Sequence, residues 1–304
     1  MGNIATYDII IIGAGIAGMT AAIYAKRAGK EVLILEEKIH GGQIINTFNI
    51  ANWPGETKIS GVDLSQKIYQ QLNDLGVKIE YESAIKVTKL DDGKFEIKTE
   101  ETEYCGRAVI IATGSNERKI EVAGEEKYIG RGVSYCATCD GAFYKDKNVA
   151  IVGGGNTAFY DALYLADLCK KIYLVHRRNE FRADVALVKK VQAKGNVEFL
   201  TPYEPVEVIG DKKVTGLEIH NKDEKKSLEV DGVFIAVGRT PNTKIFIGLV
   251  DLDDGGYIIS SENCHTSCRG VFAAGDVRVK NLRQLVTAAS DGAVAASEAA
   301  KYLG

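Results

Sequence analysis

The 304-residue sequence lacks any long hydrophobic run and any long run of one charge sign. Its most apolar early stretch, residues 9–12, has no Lys or Arg before it and ends in a glycine turn. That pattern predicts neither a signal peptide nor a membrane span. The 38 basic and 41 acidic residues nearly balance, which argues against a nucleic-acid surface or a polybasic membrane patch. We expect a globular, cytoplasmic protein that binds small ligands.

The six cysteines do not predict a disulfide scaffold, because thiols in a cytoplasmic chain of this size stay reduced unless they are catalytic or redox-sensing. Cys105 and Cys169 stand alone and are expected to pack as small hydrophobic side chains. The other four form two pairs, one in CATC at residues 136–139 and one in CHTSC at residues 264–268. A CxxC motif can be a redox dithiol, half of a zinc site, or a motif without chemistry, so its surroundings must decide.

A glycine-rich turn follows the first apolar strand, in the segment YDIIIIGAGIAGMTAAIYAKRAGKEVLILEE. The glycines of this GxGxxG motif are Gly13, Gly15 and Gly18, and Glu36 follows about 18 residues after the last of them. The strand before the motif, the helix after it and the acid beyond them are the context that a dinucleotide-binding turn requires. The glycines let the backbone approach a pyrophosphate at the helix N-terminus, and Glu36 can accept hydrogen bonds from ribose hydroxyls.

The same arrangement recurs 140 residues later in KNVAIVGGGNTAFYDALYLADLCKKIYLVHRR, with Gly153, Gly155 and Ala158 at the three small-residue positions. His176 now stands where Glu36 stood. A carboxylate at that position would repel a 2′-phosphate, whereas guanidinium groups bind phosphate through a fork of donors. The second turn therefore predicts NADPH rather than NADH, and its cationic candidates are Arg177, Arg178 and Arg182.

A second internal repeat indicates how the domains are arranged. Residues 108–115 and 232–240 both run from an apolar strand into a glycine turn, and each is expected to close its own nucleotide domain. We predict an α/β fold with two Rossmann-like, three-layer nucleotide-binding domains, the second inserted into the first. The expected boundaries are 1–116 with 245–304 for the outer domain and 117–244 for the inserted one.

On these residues the chain closely resembles the low-molecular-weight, bacterial-type thioredoxin reductases, FAD-dependent members of the pyridine nucleotide-disulfide oxidoreductases. The resemblance covers nearly the whole length, and the order and spacing of its motifs make it specific. The motifs are GAGIAG, GGQI, NWPG, ATGS, CATCDG, GGGNTA, HRR with FRA, GRTPNT, GVFAAGDV and RQLVTAASDGAVAA.

The resemblance implies FAD on the outer domain and NADPH on the inserted domain. It also implies thioredoxin as the partner and a homodimer as the assembly. The FAD candidates are Gly13, Gly15, Ala17, Glu36, Gly42, Gln43, Asn52, Ala112, Gly275, Asp276, Arg283, Gln284 and Leu285. The NADPH candidates are Gly154, Gly155, Asn156, Thr157, His176, Arg177, Arg178 and Arg182.

The CATC motif precedes the strand that begins near Asn148, so the dithiol belongs to the predicted NADPH domain. Resemblance assigns Cys139 to the flavin side and Cys136 to attack on the thioredoxin disulfide. Asp140 would oppose thiolate formation at its neighbour, which suits a general acid that protonates a departing thiolate. Nicotinamide and dithiol would compete for one flavin, so we expect the inserted domain to rotate about its two short connections.

A zinc site would need two more ligands, and only Cys264, His265 and Cys268 offer them. They lie in the other predicted domain, so a closed four-ligand site would span a mobile interface. We therefore expect no metal, and Cys264 and Cys268 are expected to pack, with a secondary redox role as the alternative.

Tyr160 departs from the resemblance, because it replaces an acid near the expected nicotinamide position and leaves the electron donor in question. Alternatives to NADPH-dependent thioredoxin reduction are a ferredoxin-fed flavin thioredoxin reductase, a flavoenzyme with another acceptor, and a non-enzymatic flavin-binding sensor or scaffold.

Overall fold

The chain contains two strand-turn-helix segments, which begin at Thr6 and Asn148, and their strands belong to two different sheets. The computed structural model describes residues 6–47 and 49–304. Two units are present: an outer unit formed by the described residues up to Asn116 together with Thr240–Gly304, and an inserted unit formed by Glu117–Arg239. Both contain a parallel sheet with helices, so the predicted α/β class with two Rossmann-like domains is confirmed.

The second junction between the units falls between Arg239 and Thr240, whereas the expected boundary lies after residue 244. Residues 240–244 belong to the outer unit because Asn242 bonds to the chain just before the insertion. The backbone N–H of Asn242 donates to the Gly114 carbonyl at 3.0 Å, and its side-chain amide donates to the Thr113 carbonyl at 2.9 Å. These bonds tie the returning chain to the segment that left the outer unit.

The helices and strands follow the chain in three stretches. Before the insertion they are β1 (Thr6–Ile12), α1 (Ile16–Arg27), β2 (Val32–Leu35), α2 (Gly61–Asp74), β3 (Lys78–Glu80), β4 (Lys86–Lys89), β5 (Phe95–Lys98), β6 (Glu103–Ile111) and β7 (Ser115–Glu117). The middle stretch contains β8 (Val133–Ser134), α3 (Ala137–Asp140), β9 (Asn148–Val152), α4 (Asn156–Ala166), β10 (Lys171–Val175), α5 (Val185–Gln192), β11 (Val197–Leu200), β12 (Glu204–Gly210), β13 (Val214–His220), β14 (Lys225–Glu229), β15 (Gly232–Ile235) and β16 (Arg239–Pro241). The last stretch contains β17 (Val271–Ala273) and α6 (Leu285–Leu303).

The outer unit is built on a seven-stranded sheet in the order β3-β2-β1-β6-β5-β4, with β17 also paired to β6. Strands β1, β2, β3, β6 and β17 run parallel, and β4 and β5 form an antiparallel edge. Side chains of β1 alternate between two cores: Ile9 and Ile11 pack beneath helices α1 and α6, whereas Ile10 and Ile12 pack against the opposite layer. Both faces are buried, which explains why this strand is a continuous apolar run.

The inserted unit is built on a five-stranded parallel sheet in the order β11-β10-β9-β15-β8. Helices α4 and α5 cover one face, where Phe159 and Leu187 pack with Ile151. The antiparallel strands β12-β13-β14 cover the other face, where Leu217 packs with Ala150 and other buried side chains. The dinucleotide-type turn between β9 and α4 therefore lies at the carboxyl edge of a fully covered parallel sheet, where ligands of such folds bind.

Helices α1 and α6 of the outer unit approach closely because small residues line their contact. A Cβ atom added to Gly292 would lie 2.2 Å from the carbonyl oxygen of Ala17 and 3.0 Å from the backbone nitrogen of Ala21. Ala295, Ala296 and other small side chains of α6 are fully buried in the same core. The position of α6 thus depends on the absence of a side chain at residue 292.

We predict that Gly292→Ala lowers the free energy of unfolding of the outer unit by about 1–3 kcal/mol, the usual cost of overpacking a dense core. Helix propensity alone would favour alanine by up to about 1 kcal/mol, so a net loss isolates the steric contact. Urea denaturation followed by circular dichroism measures the change. Ser297→Ala, on the exposed side of the same helix, serves as control, and an unchanged midpoint for Gly292→Ala would refute the packing argument.

Candidate active site

The two cysteines of the CATC motif are joined by a disulfide in the inserted unit. Strand β8 leads into Cys136, and the short helix α3 turns the chain so that the Cys139 N–H donates to the Cys136 carbonyl at 3.2 Å. The two Cα atoms are 5.3 Å apart. Cys139 is exposed and Cys136 is half-buried, so the disulfide is accessible to a reacting group.

Asp140 directly follows the disulfide, and Ser134 holds its carboxyl group. The Ser134 hydroxyl donates to Asp140 Oδ2 at 2.6 Å and accepts the backbone N–H of Cys136 at 3.1 Å. Burial raises the pKa of Asp140, and the hydrogen bond from Ser134 opposes that rise in part. A carboxyl group with a raised pKa beside a dithiol is suited to hold and deliver a proton.

The chain entering the disulfide is also fixed by Tyr135, whose hydroxyl donates to Glu125 Oε1 at 2.7 Å. Glu125 is almost fully buried. Its carboxylate additionally accepts the backbone N–H groups of Ile120 and Glu121 at 3.0 and 2.7 Å. Burial and the adjacent Glu125 raise the pKa of Tyr135. This arrangement ties the residue before Cys136 to a rigid turn of the same unit.

The turn between β1 and α1 in the outer unit has the geometry of a dinucleotide site. Gly13 adopts a φ of +106°, and a Cβ there would lie 2.4 Å from the carbonyl oxygen of Ala112, so only glycine fits. A Cβ added to Gly15 would meet no atom within 4 Å, so the turn faces open space at the N-terminus of α1. The Glu36 carboxylate lies beside it and accepts the Ala14 N–H at 2.7 Å. This cradle fits the pyrophosphate and ribose of a dinucleotide.

Other FAD candidates lie against the same turn. A Cβ on Gly42 would lie 3.1 Å from the Cα of Gly15, and a Cβ on Gly275 would lie 2.9 Å from the Cβ of Ala17. The Asn52 side-chain amide donates to Gln284 Oε1 at 3.1 Å, immediately before α6 begins at Leu285. The structure therefore brings these candidates together in the outer unit, although the sequence separates them by more than 200 residues.

Arg283 and Gln43 are two further FAD candidates in the outer unit. The Arg283 guanidinium stacks over the Tyr257 ring at 4.2 Å, and its buried Nε atom has no hydrogen-bond partner within residues 6–47 and 49–304. A buried, unpartnered donor beside the candidate site fits an acceptor on a bound cofactor. The Gln43 side-chain amide donates to Asn116 Oδ1 at 3.0 Å. Asp276 lies in the 3₁₀ turn Gly275–Val277.

The turn between β9 and α4 in the inserted unit is packed against His176. A Cβ added to Gly154 would lie 2.3 Å from the His176 ring, and the Arg182 N–H donates to the Gly154 carbonyl at 2.8 Å. A Cβ added to Gly155 would meet no atom within 4 Å, and Asn156, which begins α4, is exposed with Thr157. This turn too can receive a phosphate at a helix N-terminus.

Three arginines and two carboxylates lie in the segment that follows His176, and one of these carboxylates, that of Asp184, accepts the Asn156 side-chain amide at 3.1 Å. Arg177, Arg178 and Arg182 are exposed, and burial followed by the charges of these three arginines lowers the pKa of His176. His176 itself is buried against the turn, so it shapes the site, while the arginines project toward solvent. The arrangement fits the 2′-phosphate of NADPH.

Helix α4 carries Tyr160 and Asp161 next to this turn. Tyr160 is exposed to 61%, and no carboxylate stands at its position. The Asp161 carboxyl is largely buried, and burial raises its pKa to about 7. Asp161 is thus a second carboxyl group of the inserted unit whose pKa is raised by burial.

Cys264 and Cys268 lie in the outer unit, separate from the unit that contains Cys136 and Cys139. Cys264 is fully buried and Cys268 packs at the edge of the second core. Burial raises the pKa of the Cys264 thiol to about 11, which makes it a poor nucleophile. No cluster of three or more potential metal ligands occurs among the residues that the structure describes.

A redox disulfide and two dinucleotide-type turns define a dinucleotide-dependent disulfide oxidoreductase. The chain matches over residues 7–293 the family model described as pyridine nucleotide-disulphide oxidoreductase, and it belongs to that family. The protein is therefore an oxidoreductase, and its family implies FAD and NADPH as cofactors. Within the described residues, no helix is both long and apolar enough to cross a bilayer.

Similar proteins and solved structures agree with this family. A thioredoxin reductase from Listeria monocytogenes is 45% identical over 301 residues, covering 98% of this chain and 94% of that protein. The crystal structure of a thioredoxin reductase from Streptococcus pyogenes matches with a TM-score of 0.95 at 42% identity, covering 99% of each chain. A thioredoxin reductase from Giardia duodenalis matches with a TM-score of 0.94 at 37% identity, covering 98% of this chain and 99% of the other.

Several residues that support the site were not found from the sequence. Ser134 and Tyr135 directly precede the CATC motif, but neither belongs to a recognised pattern, and their partners Asp140 and Glu125 are seen only in three dimensions. Asp291 in α6 was likewise missed, although it accepts the Gly275 N–H at 2.9 Å. Only the SDG triplet within the last motif could have drawn attention to Asp291.

The raised pKa of Asp161 predicts a pH-dependent stability. The folded state keeps the proton up to about pH 7, while the unfolded state releases it near 3.8. Stability should therefore fall as pH rises from about 4 to about 7 and then level off. Asp161→Asn should remove that loss and stabilise the protein at pH 8 by an amount on the order of 2 kcal/mol, allowing for partial exposure.

Urea denaturation at pH 4.5, 6 and 8 measures this effect. Asp167→Asn, an exposed residue at the end of the same helix, is the matched control and should leave the pH profile unchanged. If the free energy of unfolding changed with pH in the same way in wild type and Asp161→Asn, the raised pKa of Asp161 would be contradicted.

Proposed function

We propose that this protein is an NADPH-dependent thioredoxin-disulfide reductase. The observation that carries the proposal is an accessible Cys136–Cys139 disulfide, next to a protonatable Asp140, on the same unit as an arginine-rich dinucleotide turn. Bound FAD would supply a two-electron carrier between the nicotinamide and the disulfide. The named relatives are thioredoxin reductases, which supports thioredoxin as the acceptor.

The outer unit would hold FAD and the inserted unit NADPH. In the outer unit, the turn at Gly13 and Gly15 would receive the pyrophosphate, and the Glu36 carboxylate would accept ribose hydroxyls. In the inserted unit, Arg177 and Arg178 would bind the 2′-phosphate through their forked donors. The full set of candidates predicted from the sequence, including Asn52, Ala112, Asp276, Thr157 and Leu285, remains part of this proposal.

The dithiol chemistry uses the chain's own groups. Two electrons break the Cys136–Cys139 bond, and Asp140 supplies one proton to a sulfur as the dithiol forms. The Cys136 thiolate then attacks the thioredoxin disulfide, forming a mixed disulfide and releasing one thioredoxin thiolate. Asp140 then takes the proton back from Cys139, the Cys139 thiolate attacks the Cys136 sulfur, and the protein disulfide re-forms. Reduced thioredoxin leaves, and its two thiolates take protons from solvent.

We further propose that the inserted unit rotates between the two half-reactions about β7 and β16. These strands pair with each other as a two-stranded sheet, and they are the short connections that a hinge requires. A homodimer and a cytoplasmic location complete the proposal.

The rival functions are not favoured. A ferredoxin-fed reductase needs no arginine-rich turn, and a sensor or scaffold needs no disulfide paired with Asp140. A flavoenzyme with another acceptor, such as a peroxiredoxin, shares the same site and differs only in its final partner, so the choice of acceptor needs a direct test.

Anaerobic mixing with NADPH tests the proposal, because flavin absorbance near 450 nm should bleach within the turnover time. Cys136→Ser and Cys139→Ser should still bleach but should lose thioredoxin turnover by at least about 10³-fold, since neither variant can cycle the disulfide. Cys105→Ser is the control and should keep wild-type turnover. Bleaching by reduced ferredoxin and not by NADPH would support the ferredoxin-fed alternative, and full turnover by either active-site variant would exclude the dithiol.

The basic turn predicts which nicotinamide cofactor is used. Arg177→Ala combined with Arg178→Ala should reduce kcat/KM for NADPH by about 10²-fold, the loss expected when charge-assisted bonds to a phosphate disappear. The value for NADH should change by less than about threefold. Lys190→Ala, an exposed cation on α5, is the control. An unchanged preference for NADPH over NADH would show that the turn has been misinterpreted.

A further inference from the structure

Asp291 is a partly buried carboxylate in the seventh position of helix α6, with a side-chain exposure of 13%. Three donors converge on it. Arg278 Nη1 donates to Oδ1 at 3.0 Å, Lys280 Nζ donates to Oδ2 at 2.7 Å, and the backbone N–H of Gly275 donates to Oδ2 at 2.9 Å. Two ion pairs and one main-chain hydrogen bond thus meet at a single side chain.

Each of the three guanidinium nitrogens of Arg278 donates a hydrogen bond. Its Nε donates to Ser260 Oγ at 2.7 Å, and its Nη2 donates to the Ser261 carbonyl at 2.7 Å. The Arg278 and Lys280 side chains are only 9% and 10% exposed. Buried pairs of this kind contribute little net stability, but removal of one partner leaves an uncompensated charge. The geometry of the cluster is therefore held tightly.

The segment that this cluster holds, residues 275–283, carries three FAD candidates. Gly275 lies between Asp291 and α1, where a Cβ on Gly275 would come within 2.9 Å of the Ala17 Cβ. Arg283 lies at the other end of the segment, and its Nη1 and Nη2 atoms donate to the carbonyls of Lys280 and Arg278 at 3.2 and 3.3 Å. Asp276 follows directly on Gly275. The Asp291 carboxylate thus bonds to the first residue of this segment and to two of its side chains.

We infer that Asp291 is a positioning residue for FAD. It acts through the Gly275 N–H and the Arg278 and Lys280 side chains, and it touches no cofactor itself. The inference rests on the proposed assignment of FAD to the outer unit. A purely structural carboxylate would stabilise the fold alone, whereas a positioning carboxylate also sets the affinity and the spectrum of the bound flavin.

Titration of flavin-free protein with FAD tests this role. Asp291→Asn keeps the shape of the side chain and removes its charge, so the FAD dissociation constant should rise at least tenfold and the visible flavin spectrum should shift. Asp291→Glu keeps the charge but moves the carboxylate by one methylene, so it should raise the constant by about threefold to tenfold. Glu298→Gln, an acidic residue of the same helix that pairs with His265 and Lys301, should stay within twofold of wild type.

Wild-type affinity and spectrum in Asp291→Asn would overturn the inference, even if the variant unfolds at a lower temperature. If Asp291→Asn fails to fold, wild-type binding by Asp291→Glu overturns it instead. The test needs neither NADPH nor thioredoxin, so a protein that binds FAD as expected but reduces no thioredoxin would contradict the proposed function alone. A wild-type protein that binds no FAD would contradict both.

Discussion

One steric contact, repeated in both units, fixes how closely each glycine-rich turn approaches its sheet. In the outer unit, a Cβ on Gly13 would lie 2.4 Å from the carbonyl of Ala112, the residue after β6; in the inserted unit, a Cβ on Gly153 would lie 2.5 Å from the carbonyl of Ala236, the residue after β15. The turn at each helix N-terminus can therefore sit against the carboxyl edge of its sheet only if no side chain intervenes. In both turns the next glycine of the motif faces open space, since a Cβ added to Gly15 or Gly155 would meet no atom within 4 Å.

Features that are local in sequence could be predicted, and features that join distant segments could not. Glycine spacing, an apolar strand and a charged residue at a fixed distance are local in sequence, so both turns and the α/β class followed from them. The second junction between the units lies five residues before the expected boundary, because the bonds of Asn242 to Thr113 and Gly114 join segments more than 125 residues apart. The Asp291 cluster and the Glu125–Tyr135 bond were missed for the same reason: each is defined by side chains that no local period or motif brings together.

Three carboxyl groups show how surroundings separate the roles of one chemical group. Glu36 accepts two main-chain N–H groups, at 2.7 Å from Ala14 and 3.0 Å from Lys38, and is fixed as an acceptor. Asp140 accepts the Ser134 hydroxyl at 2.6 Å, and burial is the largest cause of its pKa shift. Asp161 has burial as the sole cause of its larger pKa shift. The number of donors that each carboxyl group receives thus separates a fixed acceptor from two carboxyl groups whose pKa is raised by burial.

Strands β7 and β16 each cross a boundary between the two units, and each strand has bonds on both sides of that boundary. On the outer side, the Asn116 amide donates to Asn242 Oδ1 at 3.1 Å and accepts from Gln43 at 3.0 Å. On the inserted side, Arg239 and Glu117 form an ion pair at 2.9 Å, worth about 0–1 kcal/mol at a partly exposed position. Because both sides are tied internally, we expect the proposed rotation of the inserted unit to use the backbone torsions between residues 116 and 117 and between 239 and 240.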